Sequence, residues 1–328
     1  MKKPQNIRVV EYDRIGGVEV LELREHPVPE PGDGQVLVEV IAAGINHIEA
    51  FIRAGREPEV RTPFPRRQGS DFAGIVVAIG PGVAGFRPGA DVVGHVSAGA
   101  HATHVLVAAD ALVAKPKALA WEVAGSLYLA GVCALDTLDE LRIGVGDTLV
   151  VSAAAGGVGS IETQLAKRAG ATVIGTCGER NFDYLRQLGI KPVLYGPGIA
   201  DRIRAVAPGG VTAFIDNFGQ DGRALADELG VPSARYRSSE DRRQRELAAL
   251  DDDPEARERS TRQLARIVTL AAEHAITVLI SGFYPLDDIR GAFDDLEKLH
   301  ARGKIVLGTR PVSPFRVLKA RDVADARA

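Results

Sequence analysis

Cysteine is nearly absent: the 328 residues hold two, Cys133 and Cys177. Two thiols far apart in the chain can build neither a disulfide framework nor a four-thiolate zinc lobe, and they point to a reducing compartment. Aromatics are scarce as well, with 10 Phe, 6 Tyr and 1 Trp. A core must therefore be made chiefly of Ala, Val, Leu and Ile. No window approaches the length of about 18 uncharged apolar residues that a transmembrane helix needs. The start, Met1 to Asp13, carries Lys2 and Lys3 but no apolar stretch of signal-peptide length. A surplus of one charge is lacking too: the formal net charge of −3 offers no bulk attraction to nucleic acid or anionic membrane. These absences lead to the expectation of a cytoplasmic protein with no nucleic-acid and no membrane partner.

What is present is globular in character. Hydrophobic residues make up 45% and charged residues 25%, close to soluble averages, and the length suggests about two domains. The first third reads as strands and turns, with β-rich runs at Ile7–Tyr12, Val18–Leu23, Gln35–Ala43, Gly74–Gly80 and Thr103–Val107. Pro27, Pro29, Pro31, Gly32, Gly34, Pro81, Gly82, Pro88 and Gly89 punctuate them. A mostly-β domain ending near Pro116 follows. After Trp121 the rhythm changes to strands Thr148–Ala155, Thr172–Cys177, Pro192–Tyr195 and Thr212–Asn217. They alternate with helices Val158–Ala169, Asn181–Leu188 and Ala200–Val206. That alternation predicts an α/β unit with a parallel sheet covered on both faces. An amphipathic helix is expected at Leu286–His300 and a returning strand at Lys304–Gly308. Glu240–Arg262 packs eight acids and six bases into 23 residues around Pro254, and reads as a solvated, salt-bridged helical insertion. The polar tail Pro311–Ala328 reads as loosely held.

One motif carries chemistry. Ser152-Ala-Ala-Ala-Gly156-Gly157-Val158-Gly159 follows a strand and opens a helix. A dinucleotide pyrophosphate needs backbone N–H donors at close range, which glycine permits and a helix N-terminus favours. The strand before, the helix after and the βα alternation beyond make this a dinucleotide site rather than an ordinary turn. An NAD enzyme presents an acid at the end of the next strand, but that place reads Thr176-Cys177-Gly178. Arg180 follows, and its guanidinium suits a 2′-phosphate. Glu179, if turned inward, would favour NAD instead. NADP(H) is the expected cofactor.

On these residues the chain resembles the zinc-free medium-chain dehydrogenase/reductases, of the NADPH:quinone oxidoreductase and 2-alkenal reductase type. The likeness rests on Ala42-Ala-Gly-Ile-Asn46-His-Ile-Glu-Ala-Phe-Ile-Arg53-Ala-Gly55, on Gly69-Ser-Asp71-Phe-Ala-Gly74-Ile-Val-Val-Ala-Ile-Gly80, and on the glycine motif. Tyr284-Pro285-Leu286, Ala292-Phe293 and Arg302-Gly303-Lys304-Ile-Val-Leu307 extend it, so that it runs from residue 7 to about residue 308. It implies a GroES-like mostly-β domain (1–120 and 285–328) and a Rossmann doubly wound domain (121–284, with the charged insertion 240–262). Substrate and nicotinamide would lie in the cleft between them. Asn46 would line the nicotinamide pocket, and Gly156, Gly157, Val158 and Gly159, with Ala155 beside them, would carry the pyrophosphate. Arg180 and Tyr195 would bracket the 2′-phosphate next to Cys177. Asn217, Phe218, Phe283 and Tyr284 would border the nicotinamide ribose, and Lys304 is assigned to the cofactor as well.

Zinc-dependent relatives use a Cys in the first domain, a Gly-His-Glu stretch and a further Cys or Asp. Here the comparable places hold His47-Ile-Glu49 and Gly69-Ser-Asp71, and no cysteine precedes Cys133. His95, His101 and His104 lie near one another but bring no thiolate, so no metal is expected. Some quinone reductases place a tyrosine where this chain has Phe51. Asn46, Tyr128 and Tyr284 are the candidate catalytic groups, with water as the final proton source. After Gly219 the sequence departs from the family's glycine-rich strand. The implied activity is zinc-independent, NADPH-dependent reduction of quinones or activated C=C bonds by direct hydride transfer. Alternatives are an enoyl or imine reductase of secondary metabolism and an NADPH-binding sensor with little turnover. Homodimers are common among proteins of this resemblance.

Overall fold

In the computed structural model, residues 5–57, 60, 62–220, 222–298 and 301–310 are described. The chain divides into two units. The first gathers the described residues of Met1–Leu129, Ala248–Ala275 and Leu279–Ala328. The second comprises Ala130–Leu247 and Ile276–Val278.

The first unit is built on its alternating apolar strands. Gln35–Gly44 is buried along most of its length because it is paired on both sides. It runs antiparallel to Asp71–Ile79 on one side, and to His104–Ala108 and Lys304–Gly308 on the other. The seven-stranded sheet is completed by Ile280–Pro285 at one end and by Asp91–His95 and Leu112–Ala114 at the other. A three-stranded sheet of Glu22–Pro27, Asn6–Tyr12 and Arg66–Arg67 accompanies it. Val36, Val38, Val40, Phe72, Val92, Ile305 and Leu307 form the core with Phe293, from the helix Ile289–Glu297. Each large apolar side chain buried there contributes about 1.5–3 kcal/mol.

The second unit holds five parallel strands in the order Lys191–Leu194, Thr172–Cys177, Thr148–Val151, Ala213–Ile215, Tyr236–Arg237. Val150 sits in register between Ile174 and Phe214. These three pack with Val193, Ile203 and Leu225, which gives the near-continuous apolar strands of a sheet covered on both faces. The strand order reverses between Thr148–Val151 and Ala213–Ile215. In open α/β sheets such a reversal is where a crevice opens beyond the strands' carboxyl ends.

Several expectations need correction. Val18–Leu23 is not a strand: Val18–Val20 forms a 3-10 turn and pairing begins at Glu22. There the Glu19 carboxylate accepts the Gly17 N–H at 2.9 Å, a local turn inside a β-branched run. The strand expected to reach Ala155 stops at Val151, since Ala153 takes a φ of +47°. The charged segment is helical, at Ser239–Ala249 and Pro254–Ala272, yet the second of these helices is no solvated insertion. Asp253 caps it, and it extends well past Arg262, burying Leu264, Ile267, Val268 and Ala271. It packs on Asp91–His95, Leu112–Ala114 and the turn at Ala109–Ala111, where Arg257 pairs with Asp110 at 2.7 Å. Residues 248–275 therefore belong with the first unit. The strand Ile280–Pro285 joins it too, in parallel with Lys304–Gly308, so Phe283 and Tyr284 do not end a Rossmann strand. The division falls at 129/130 and 278/279 rather than at 120/121 and 284/285. Within the expected helix Leu286–His300, a 3-10 turn at Leu286–Asp288 precedes the helix proper. The tail Pro311–Ala328 lies outside the described residues.

Candidate nucleotide site and a buried polar cluster

The residues assigned from sequence fall into two groups, one in each unit. In the second unit the structure brings together Ala155, Gly156, Gly157, Val158, Gly159, Cys177, Arg180, Tyr195, Asn217 and Phe218, all at or just past the carboxyl ends of neighbouring strands. The turn after Thr148–Val151 passes through left-handed Ala153 to Gly156, which opens the helix Gly157–Arg168. No side chain caps that helix, and no acid stands in its first turn. Its first N–H groups and its dipole therefore suit an anion. A Cβ on Gly159 would lie 2.6 Å from the Ala153 carbonyl oxygen, so only glycine lets helix and turn approach this closely.

The next strands supply the rest. Cys177 ends its strand buried, and Glu179 and Arg180 are exposed in the 3-10 turn that follows. Tyr195 and Phe218 face each other at 6.3 Å between ring centroids. Together with Gly196, Ile199, Gln220 and Leu225 they line a cleft of about 270 Å³. Its two aromatic rings suit a flat heterocycle. Tyr195 is thus a cleft wall.

Three residues of this site escaped the sequence reading. Arg202 donates to the carbonyls of Leu194, Tyr195, Gly196 and Pro197 at 2.8–3.2 Å, and so clamps the loop that carries Tyr195. Buried Asp216 accepts from Ser152 Oγ at 2.8 Å and from the N–H groups of Phe218, Gly219 and Gly222 at 3.2, 2.9 and 3.1 Å. It ties the glycine turn to the loop after Ala213–Ile215. Glu162, fully buried in the helix Gly157–Arg168, accepts from Asn217 Nδ2 at 2.5 Å. An acid in the middle of a helix's apolar stripe was a signal available in the sequence.

In the first unit, Asn46 precedes the helix His47–Arg53 and is absorbed into a buried network. Its Nδ2 donates to Asp71 at 3.2 Å, its Oδ1 accepts from Lys304 Nζ at 2.5 Å, and its N–H donates to Glu49 at 3.0 Å. Lys304 also donates to the Ile45 carbonyl at 3.1 Å, and Glu49 accepts from Ser70 N–H and Oγ at 3.0 and 2.9 Å. Burial pushes the carboxyls of Glu49 and Asp71 up, the latter to about 6. Burial holds His101, bonded to the Gly44 carbonyl at 3.0 Å, down to about 4. Asn46 and Lys304 are therefore struts of this network, and their polar atoms are bonded within it.

The remaining catalytic candidates are revised for the same reason. The Tyr284 hydroxyl donates to Asp295 inside the core of the first unit. The Tyr128 hydroxyl donates to the Ala249 carbonyl, and its ring stacks on His95 at 4.2 Å. Both hydroxyls are thus engaged by acceptors within the protein. Phe283 packs its ring over Gly308. Arg53 forms an ion pair with Glu297 at 2.5 Å.

Comparison with known proteins follows the same division. The family profile described as alcohol dehydrogenase GroES-like domain matches residues 32–117, and the one described as zinc-binding dehydrogenase matches residues 188–307. A chloroplast envelope quinone oxidoreductase homolog of Arabidopsis thaliana is 29% identical over 318 residues, covering 89% of this chain and 95% of that protein. An NADPH-dependent alkenal/one oxidoreductase of Arabidopsis thaliana is 34% identical over 57% of this chain, and the match spans about half, 51%, of its own length. The crystal structure of Escherichia coli quinone oxidoreductase complexed with NADPH superposes with a TM-score of 0.78 at 25% identity, over 92% of this chain and 99% of that one. The zinc in the second profile's description does not fit this chain. Both cysteines are buried, and His95 and His101 are bonded to Thr261 and Gly44. Among the described residues, no group of three or more His, Cys, Asp and Glu is placed to hold a metal ion.

Proposed function

The chain belongs to the medium-chain dehydrogenase/reductases, and from that premise we propose that it is a zinc-independent, NADPH-dependent reductase of quinones or activated C=C bonds. The observation that carries the proposal is the uncapped glycine turn at the strand-order reversal, where a Cβ on Gly159 would strike the Ala153 carbonyl. Relatives named as quinone oxidoreductase and NADPH-dependent alkenal/one oxidoreductase support the substrate class and the cofactor.

The residues present fit a dinucleotide. The N–H groups opening the helix Gly157–Arg168 would hold the pyrophosphate, Tyr195 and Phe218 would flank the adenine, and Arg180 would pair with the 2′-phosphate. When bound, NADPH supplies a hydride. Asp216 and Arg202 keep the two flanking loops in shape, so that little ordering is left to be done on binding. With the Tyr128 and Tyr284 hydroxyls bonded internally, the proton that completes reduction comes from water.

NADPH oxidation measured against a panel of quinones, enones and imines tests the activity, and a protein silent toward all of them refutes it. Tight NADPH binding with negligible turnover would instead favour a sensor, a reading to which the bonded tyrosines lend weight. For the cofactor, Arg180→Ala should weaken NADPH binding much more than NADH binding by calorimetry; equal losses sink the assignment. The proposal includes a cytoplasmic setting, in keeping with two buried free cysteines, and a homodimer. Light scattering that returns the 34.8 kDa of a single chain would exclude the dimer.

A further inference from the structure

Glu162 has no place in the function proposed above, yet it is buried to 0% exposure in the helix that opens at the glycine turn. A buried carboxyl is expensive unless its partners justify it. Asn217 faces it from the loop after Ala213–Ile215. Arg242, Arg245 and Glu246 face it from the helix Ser239–Ala249, and Cys133 from the helix Tyr128–Leu141. The arginines are engaged elsewhere, Arg242 with Glu246 and Arg245 with Glu140. The hydrogen bond of Glu162 goes to Asn217, whose Nδ2 lies 2.5 Å from Oε2. That Nδ2 is also 3.5 Å from the Ser152 carbonyl. Both of these neighbours are acceptors, so both hold the amide the same way round. Asn217 Oδ1, on the other side, is buried with no hydrogen-bond partner.

Asn217 stands just past the strand Ala213–Ile215, beside the strand-order reversal where a dinucleotide crosses such a sheet. We propose that Glu162 is a positioning residue for the cofactor: it fixes the Asn217 amide so that Oδ1 is presented as an acceptor to a hydroxyl of the ribose next to the nicotinamide. The inference rests on the cofactor reading above. Without Glu162 the amide can turn over and present N–H groups instead, and a preformed acceptor is lost. Burial pushes the Glu162 carboxyl up to about 7, with Asn217, Arg242 and Arg245 pulling against it and Glu246 adding to it. Near neutrality the group therefore passes from an acceptor-only carboxylate to an acid that can also donate to Oδ1 and reverse the amide.

The test measures binding of NADPH and of adenosine 2′,5′-bisphosphate, which lacks the nicotinamide ribose, by calorimetry. Glu162→Leu should weaken NADPH about fivefold to tenfold, the share of one oriented hydrogen bond, and leave the bisphosphate within about twofold. Glu162→Gln, which like the protonated acid can either accept the N–H or donate to Oδ1, should bind NADPH as the wild type does near about pH 6 and more weakly than the wild type does at about pH 8. Asn217→Ala should lose as much as Glu162→Leu, and the double variant no more than either. Between about pH 8 and about pH 6, the ratio of NADPH to bisphosphate affinity should fall in the wild type and stay level in Glu162→Gln. This comparison stands even if Glu162→Leu fails to fold. Unchanged NADPH affinity in Glu162→Leu, equal losses for both ligands, or a ratio that is flat with pH in the wild type overturns the proposal alone. A wild type that binds neither ligand overturns the cofactor reading itself.

Discussion

Replacing Asp216 tests the idea that one buried carboxylate shapes both sides of the nucleotide site. Its side chain receives four hydrogen bonds: Ser152 Oγ from the glycine turn, and three N–H groups from the loop Phe218–Gly222. In Asp216→Ala the hydroxyl of Ser152, itself buried, and the N–H groups of Gly219 and Gly222 lose their acceptor, while the Phe218 N–H keeps Ser152 Oγ at 3.0 Å. An orphaned buried donor costs about 1–3 kcal/mol. Phe218 is 37% exposed, so water replaces part of the loss on that side, and the sum comes to about 2–4 kcal/mol. Asp216→Asn keeps Oδ1 for three of the donors but turns an N–H₂ toward the N–H of Gly222, for a loss of about 1–2 kcal/mol. At about 3–6 °C per kcal/mol for a unit of this size, the alanine variant should melt about 6–24 °C lower and the asparagine variant about 3–12 °C lower. Scanning calorimetry is the assay, because Trp121 lies in the first unit and its fluorescence reports on that unit. A melting temperature within about 1 °C of wild type for Asp216→Ala, or an asparagine variant less stable than the alanine one, would refute the reasoning.

Other outcomes follow from the buried groups. Glu162 has a folded value near 7 against an ordinary 4.5, so the folded state holds its proton more tightly. Stability falls as pH rises from about 4.5 to about 7, and Glu162→Gln should gain up to about 3 kcal/mol above neutrality but little at pH 4.5. His101 has the opposite sign. Burial holds it at about 4 against an ordinary 6.5, so its contribution is complete above 6.5 and lost as pH falls toward 4. Proton uptake by Asp71, raised to about 6, partly offsets that loss. Acid unfolding of the first unit should therefore flatten between pH 6.5 and 4 in His101→Gln; an unchanged acid limb would count against it. Gly69 has φ +94°, and a Cβ there would lie 2.4 Å from the His101 backbone nitrogen. Gly69→Ala should destabilise by about 3 kcal/mol or more in urea titrations, and a loss under about 1 kcal/mol would contradict the packing.

The strands Thr172–Cys177 and Lys304–Gly308 lie where the sequence put them, because each is a short β-rich stretch set between glycines, Gly170 and Gly178 in one and Gly303 and Gly308 in the other. The helix after the glycine turn is off by one residue at each end, since glycine spacing and apolar period agree there. The charged segment misled: its helices were legible, but the apolar stripe of Leu264, Ile267 and Val268 lies beyond the charge run and needed a sheet to cover. The hydrogen bonds of the tyrosine candidates were not legible, for another reason. A tyrosine in sequence shows its hydroxyl but not the acceptor that occupies it, and Asp295 and Ala249 reach Tyr284 and Tyr128 only through tertiary packing.

The residues alone settled the αβ alternation, the glycine turn and the absence of a thiolate set for zinc, because each depends on local spacing or on residue type. Which side chains meet was decided by the tertiary structure. The bonding of Asn46 to Lys304, of Glu162 to Asn217 and of Asp216 to Ser152 joins positions 55 to 258 residues apart. Hydrogen bonds act over about 3 Å, and only the folded chain brings such groups within that range.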